Sequence, residues 1–166
     1  GGVGKTTLAS SLYIEISSKF DSCCFLENIK DQPSLKTLQG KILSTVLKTE
    51  VEIPSVDIGK QMVKCRLGGR KVLIFLDDVD DRKQLEALAA SHDWFGDGSR
   101  IIITTRDEHL LRAHKVDEVS HVSLLSHDEA IRLFNKHAYN DNNLVEDYEM
   151  LSQQVVSYAG GLPLAL

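Results

Sequence analysis

Gly1-Gly-Val-Gly-Lys-Thr-Thr7 opens the chain, and these residue types in this order are what a phosphate-binding loop requires. The full pattern is G-x-x-x-x-G-K-[ST], whose last six positions are filled by Gly1 to Thr6. Glycines let the backbone turn its N–H groups inward around phosphate oxygens, making an anion nest at a helix N-terminus. Lys5 is placed to reach the β- and γ-phosphates as a point charge, and Thr6 to offer its hydroxyl to Mg²⁺. Gly1, Gly2, Val3, Gly4 and Thr7 complete the expected nucleotide-binding set. Leu8, Leu12 and Ile16 then fall at helical spacing, which predicts the buried face of the helix that follows. A glycine-rich turn ahead of an ordinary helix is the alternative, and a second motif is needed to choose.

That motif is Leu73-Ile-Phe-Leu-Asp-Asp78. Lys71 to Leu76 and Arg100 to Thr105 are short, continuously apolar and β-branched, as strands buried on both faces of a parallel sheet are. Cys23 to Leu26 and His121 to Leu124 are shorter strand candidates. In an open parallel sheet, ligands sit at the carboxyl ends of the strands, and that is where Asp77 and Asp78 fall. Asp77 is expected to bind Mg²⁺ directly or through water. Asp78 is the candidate catalytic residue, polarising an attacking water beside the γ-phosphate. Two aspartates that merely end a strand and cap the next helix are the competing reading. Ile101-Ile-Ile-Thr-Thr-Arg106 brings hydroxyls and a guanidinium to the same edge, where the planar fork of Arg106 suits phosphate oxygens; a solvated arginine that opens the next helix is the alternative.

Helical patterns separate these strands. Leu35, Leu38, Ile42 and Val46 follow Pro33-Ser34, and Leu85 and Leu88 follow Asp81, a candidate N-cap. Alternating strands and helices imply right-handed crossovers, so the fold expected is α/β: a three-layer P-loop NTPase domain with a parallel sheet. The pattern changes near residue 125. Ser126-His-Asp-Glu129 has capping-box spacing, and Ala130, Leu133, Phe134 and Ala138 form a helical stripe after it. A second stripe, Leu144, Tyr148, Leu151, Val155 and Ala159, stops at Gly160-Gly161. Leu162-Pro163 reads as the start of another helix. The expected organisation is a nucleotide-binding domain over 1–125 and the beginning of a helical subdomain over 126–166.

Composition narrows the partners. The formal net charge is -5 and charged residues make up 26% of the chain, with no Lys/Arg run longer than two, so neither nucleic acid nor an anionic membrane is the expected partner. The longest apolar runs are too short to span a bilayer. Three cysteines with no CxxC spacing suggest reduced thiols, hence a cytoplasmic protein with the nucleus as the alternative. His109, His114, His121, His127 and His137 read as surface or packing residues.

Taken in order, Gly1 to Thr7, Lys71 to Asp81, Gly98 to Asp107 and Gly161-Leu-Pro-Leu-Ala-Leu166 resemble the successive motifs of the NB-ARC domain of plant nucleotide-binding, leucine-rich-repeat disease-resistance proteins. Phe25-Leu-Glu-Asn-Ile29 resembles the motif between the first two, and Leu125 to Ala138 the start of the family's first helical subdomain. Asp80, where one class of the family carries Trp, is similar to the class with a Toll/interleukin-1-receptor-like domain. The resemblance implies an ADP/ATP switch with Mg²⁺, ADP-bound off and ATP-bound on, which is at most a slow ATPase. It implies Lys5 and Thr6 as phosphate and magnesium contacts, Asp77 as metal-associated, Asp78 as catalytic acid and Arg106 as phosphate sensor. Pro163 matches a proline that packs near the adenine; read alone it is equally a first-turn helix proline. The strand that feeds the loop in that family is expected upstream of this sequence, and a second helical subdomain downstream. Other domains of the same parent chain are the expected partners, with self-association on activation. A P-loop ATPase of another signalling or motor type shares the first two motifs and stays open.

Overall fold

The computed structural model describes residues 2–138 and 146–166, with the side chains of 146–149 left aside. The chain forms two compact units: Thr6–Val119, and Gly1–Lys5 together with Ser120–Leu166. In the first, β1 (Ser22–Leu26), β2 (Val72–Val79) and β3 (Arg100–Thr105) make a parallel sheet in the order β1-β2-β3. The helices are α1 (Lys5–Ile16), α2 (Leu35–Leu47), α3 (Val56–Leu67), α4 (Arg82–Leu88) and α5 (Glu108–His114).

The continuous apolar run of β2 is explained by its two covered faces. Leu73 and Phe75 look toward Ala9, Leu12, Tyr13 and Ile16 of α1, whereas Val72, Ile74 and Leu76 join the core built by α2, α3 and α4. All five strand residues are fully buried, each large side chain contributing roughly 1.5–3 kcal/mol by leaving water. Phe25 and Phe75, register partners across β1 and β2, stack at 5.2 Å, and Tyr13 stands edge-on to both rings. This is the α/β three-layer arrangement expected. β3 is less buried than the sequence suggests: Ile101 to Thr105 are half-covered, because among the described residues this strand pairs on one side only.

Two expectations are corrected and one unforeseen helix is added. Leu8 is 56% exposed; the buried face of α1 runs through Ala9 instead, with Leu12, Tyr13 and Ile16 partly covered. One residue is 100° of helix, so a stripe that starts one position early loses its first member. His121 to Leu124 form no strand, and Leu124 is half exposed. The helix α3 has no counterpart in the sequence reading, because its buried face opens on a glycine: Gly59, Val63 and Leu67. That glycine is required. Gln39, wholly buried, donates its amide to Val56 O at 3.0 Å and Ala87 O at 2.9 Å, tying α2 to α3 and α4. A Cβ on Gly59 would lie 2.0 Å from the Gln39 Oε1.

The second unit contains α6 (His127–Ala138), α7 (Glu146–Ala159) and a 3₁₀ turn at Pro163–Ala165. The capping box is present: Glu129 Oε2 accepts from the Ser126 N–H at 2.9 Å and its hydroxyl at 2.8 Å, and the Glu129 N–H points back at Ser126 Oγ. Of the α6 stripe, Ala130 is buried, Leu133 and Phe134 half-buried, and Ala138 exposed. On α7 the stripe holds at Ala159 but is displaced by one residue before it. Ser152, Val156 and Ala159 are buried, whereas Leu151 is 57% and Val155 41% exposed. Leu144 lies outside the described residues, as does the side chain of Tyr148. Gly160 and Gly161 end α7 with positive φ, and the Leu125 N–H donates to Gly161 O at 2.9 Å. The helix foreseen at Leu162-Pro163 is a single 3₁₀ turn with Pro163 in its first position.

Candidate functional site

Asp77 and Asp78 sit at the carboxyl end of β2, where the ladder to β3 shifts register between Leu76 and Val79. The cause is Asp78, whose φ of 54° is left-handed, a conformation uncommon outside glycine and typical of functional sites. Its N–H, turned out of the ladder, donates to Thr104 Oγ1 at 2.9 Å. The same hydroxyl donates to Asp77 Oδ1 at 2.6 Å. One threonine of β3 thus fixes both aspartates.

The two carboxylates have different surroundings. Asp77 is buried, and its partners are hydroxyls: besides Thr104, Thr6 Oγ1 lies 3.0 Å from each of its oxygens. Asp78 takes cations. Lys30 Nζ pairs with its Oδ2, and Arg106 Nε approaches Oδ1 at 3.5 Å. A carboxylate removed from water must be hydrogen-bonded or paired, and each aspartate meets that condition in its own way. Lys30 is held by its neighbours: Ile29 is buried, Asn28 is left-handed, and the Asn28 amide donates to Asp31 Oδ2 at 2.7 Å. Arg106 follows β3 in a turn where Asp107 N–H donates to Thr105 Oγ1 at 3.0 Å and Asp107 caps α5.

Thr6, Asp77, Asp78 and Arg106, predicted separately, therefore meet at one sheet edge. Gly2, Val3, Gly4, Lys5 and Pro163 belong to the other unit, where the Leu164 N–H donates to Gly2 O at 3.2 Å. Gly2 and Gly4 have φ of 83° and 89°, a turned backbone of the kind an anion nest uses. A Cβ on Gly2 would come within 2.9 Å of Leu164, and one on Gly4 would meet nothing within 4 Å. The Gly4 backbone thus faces open space of the kind a phosphate oxygen fills. Lys5 opens α1, with Thr7 exposed on its first turn. Gly1 lies outside the described residues.

The residues fit Mg²⁺. Thr6 and Asp77 present only hard oxygen donors, and among the described residues no group of three or more His, Cys, Asp or Glu could hold a metal. Mg²⁺ characteristically takes one or two protein ligands and completes its shell with phosphates and water. His114 has a packing role, its Nε2 lying 2.9 Å from Ala89 O. No helix among the described residues is long and apolar enough to cross a membrane.

Sequence reasoning missed Lys30 and the bridging by Thr104. Lys30 directly follows the Phe25 to Ile29 segment. Since every strand of a parallel sheet delivers its carboxyl end to the same edge, the residues after β1 were the place to look.

Comparison with known proteins agrees with the motif order. The NB-ARC domain family matches residues 1–144. Similar proteins include disease resistance protein RUN1 of Vitis rotundifolia, 45% identical over 171 residues, and TMV resistance protein N of Nicotiana glutinosa, 44% identical over 174. Disease resistance-like protein DSC1 of Arabidopsis thaliana is 39% identical over 169. These alignments take in 99–100% of the chain but only 13%, 15% and 14% of those relatives, so the chain spans about a seventh of their length.

Proposed function

The chain belongs to the NB-ARC domain family, and from that premise we propose that it is the ADP/ATP switch of an intracellular plant immune receptor of the Toll/interleukin-1-receptor-like class, ADP-bound off and ATP-bound on. The observation that carries the reading is the division of labour between Asp77 and Asp78: hydroxyls on one, cations on the other. Mg²⁺, when bound, neutralises charge between the β- and γ-phosphates, and Thr6 and Asp77 are the residues to hold it. Gly1 to Thr7 take the phosphates, with Lys5 as the point charge. Asp78 orients or deprotonates water, Arg106 senses the γ-phosphate, and Pro163 packs near the adenine. The division into a nucleotide-binding domain over 1–125 and a helical subdomain from 126 goes with this reading. Adenine nucleotide and the other domains of the parent chain are the partners, and self-association follows activation.

Such a switch needs unequal binding of nucleotide to two states. Moving a two-state equilibrium from 1:99 to 99:1 takes about 5.5 kcal/mol of differential affinity. Cations that meet a γ-phosphate only in the ATP state are a source of that difference, and slow hydrolysis by Asp78 resets it. The test is Lys5→Arg in the full-length receptor. A planar fork does not replace a compact ammonium in a tight nest, so nucleotide affinity is expected to fall by at least a hundredfold and signalling to cease. Undiminished ADP binding in that variant contradicts the role of Lys5. Rapid multiple turnover with an acceptor substrate contradicts the switch.

A further inference from the structure

We propose that Lys30 is a positioning residue of this site that tunes the preference for triphosphate over diphosphate by compensating Asp78. The inference rests on the nucleotide-switch reading above and deepens it.

The carboxylate of Asp78 is mostly withdrawn from water, at 17% exposure, between two cations of unequal security. Lys30 is 28% exposed and fixed by the buried Ile29 beside it and the Asn28–Asp31 hydrogen bond. Arg106 is 59% exposed, more than twice as much as Lys30, and its Nε approaches Asp78 Oδ1 at 3.5 Å, longer than the 2.7–2.9 Å of a well-made charged hydrogen bond. Arg106 is therefore the cation that a γ-phosphate can attract. Its departure leaves Asp78 negative next to an incoming anion, and like charges at such range repel strongly in a partly desolvated site. Lys30 removes that conflict. It keeps Asp78 paired while Arg106 turns to the phosphate, so Asp78 and the γ-phosphate do not compete for one guanidinium.

Diphosphate poses no such demand, since Arg106 then stays on Asp78. Lys30 accordingly affects one nucleotide and spares the other, a pattern that a merely structural lysine does not produce.

The experiment measures equilibrium affinities of the full-length protein for ADP and for adenosine 5′-(β,γ-imido)triphosphate, both with Mg²⁺. Lys30→Gln is expected to weaken the triphosphate analogue about tenfold and ADP less than twofold. Lys30→Arg, which keeps the charge, should restore the ratio to within threefold of the unmodified protein. In an Asp78→Asn background the Lys30→Gln effect should shrink below twofold, because the charge that Lys30 compensates is gone. Asp78→Asn alone should raise the preference for the triphosphate analogue, and this holds as a test even if Lys30→Gln does not fold. Equal losses for both nucleotides, an unchanged ratio, or the same Lys30→Gln effect in both backgrounds overturns the role of Lys30 while the switch stands. Binding of neither nucleotide by the unmodified protein overturns the switch itself.

Discussion

The two units use apolar residues in opposite ways. In Thr6–Val119 the large apolar side chains of β2 are wholly buried, and polar groups at its carboxyl end are locked by hydroxyls and ion pairs. In the unit that holds α6 and α7, Leu124, Met150, Leu151, Val155, Tyr158 and Leu164 are exposed, while the buried residues are Ala130, Ser152, Val156 and Ala159. Close backbone approach takes the place of side-chain bulk there: Gly161 leaves no room for a Cβ, which would sit 2.4 Å from Leu125 O. The lesson is that a hydrophobic stripe does not by itself mark the buried face: Leu8 on α1 and Leu151 and Val155 on α7 belong to such stripes and are exposed.

This contrast is open to direct attack by native-state amide exchange in the full-length protein, which resolves each unit separately. The largest expected effect is Phe75→Ala. It removes a ring with no exposure and two aromatic neighbours, and should lower the protection of β2 amides by about 3–5 kcal/mol. A loss below 1 kcal/mol would mean that β2 is not the core of its unit.

An intermediate effect comes from Cys24 on β1. Burial pushes its thiol up from 9.0 to about 11. The native state then holds a proton that the unfolded chain releases, so stability is intact below pH 9 and declines as pH rises toward about 11. The decline attributable to this thiol is on the order of 3 kcal/mol, since each tenfold loss of acidity is worth about 1.4 kcal/mol. Burial raises the Cys23 thiol and the Tyr13 hydroxyl as well, which adds to the same trend. Cys24→Ala should flatten the fall of β1 protection above pH 9, and an unaltered slope would remove Cys24 as its cause.

The smallest effect belongs to the other unit. Leu151→Ala, at a 57% exposed position, should change α7 protection by less than about 0.5 kcal/mol. A cost above 2 kcal/mol would place Leu151 in a packed interface and erase the contrast between the units.

What the sequence disclosed follows the same division. Val72 to Leu76 could be recognised as a strand because full burial on two faces forces an uninterrupted apolar run, and Asp77-Asp78 could be placed at the sheet edge because they follow that strand's carboxyl end. Arg106 was legible for the same reason. The caps at Asp81 and Ser126 were legible because capping is a local interaction of fixed spacing, and both capping boxes are formed. The rest depends on what packs against what. Gly59 is buried because Gln39 reaches over it from α2, a contact 20 positions away that no periodicity encodes. On α7 it is Ser152, Val156 and Ala159 that are buried and Leu151 and Val155 that are exposed, a choice of face made by tertiary packing. Lys30 and Thr104 carry no motif of their own, since their importance comes from being brought to Asp78 by β1 and β3.

If the phosphate loop holds an adenine nucleotide, as proposed, the most direct test is the nucleotide released by acid from the full-length protein purified without added nucleotide. About one ADP per chain is expected from the unmodified protein and almost none from Lys5→Arg. An unmodified protein that carries no adenine nucleotide and takes up none on titration, or a Lys5→Arg variant that retains as much ADP as the unmodified protein, would contradict the proposal.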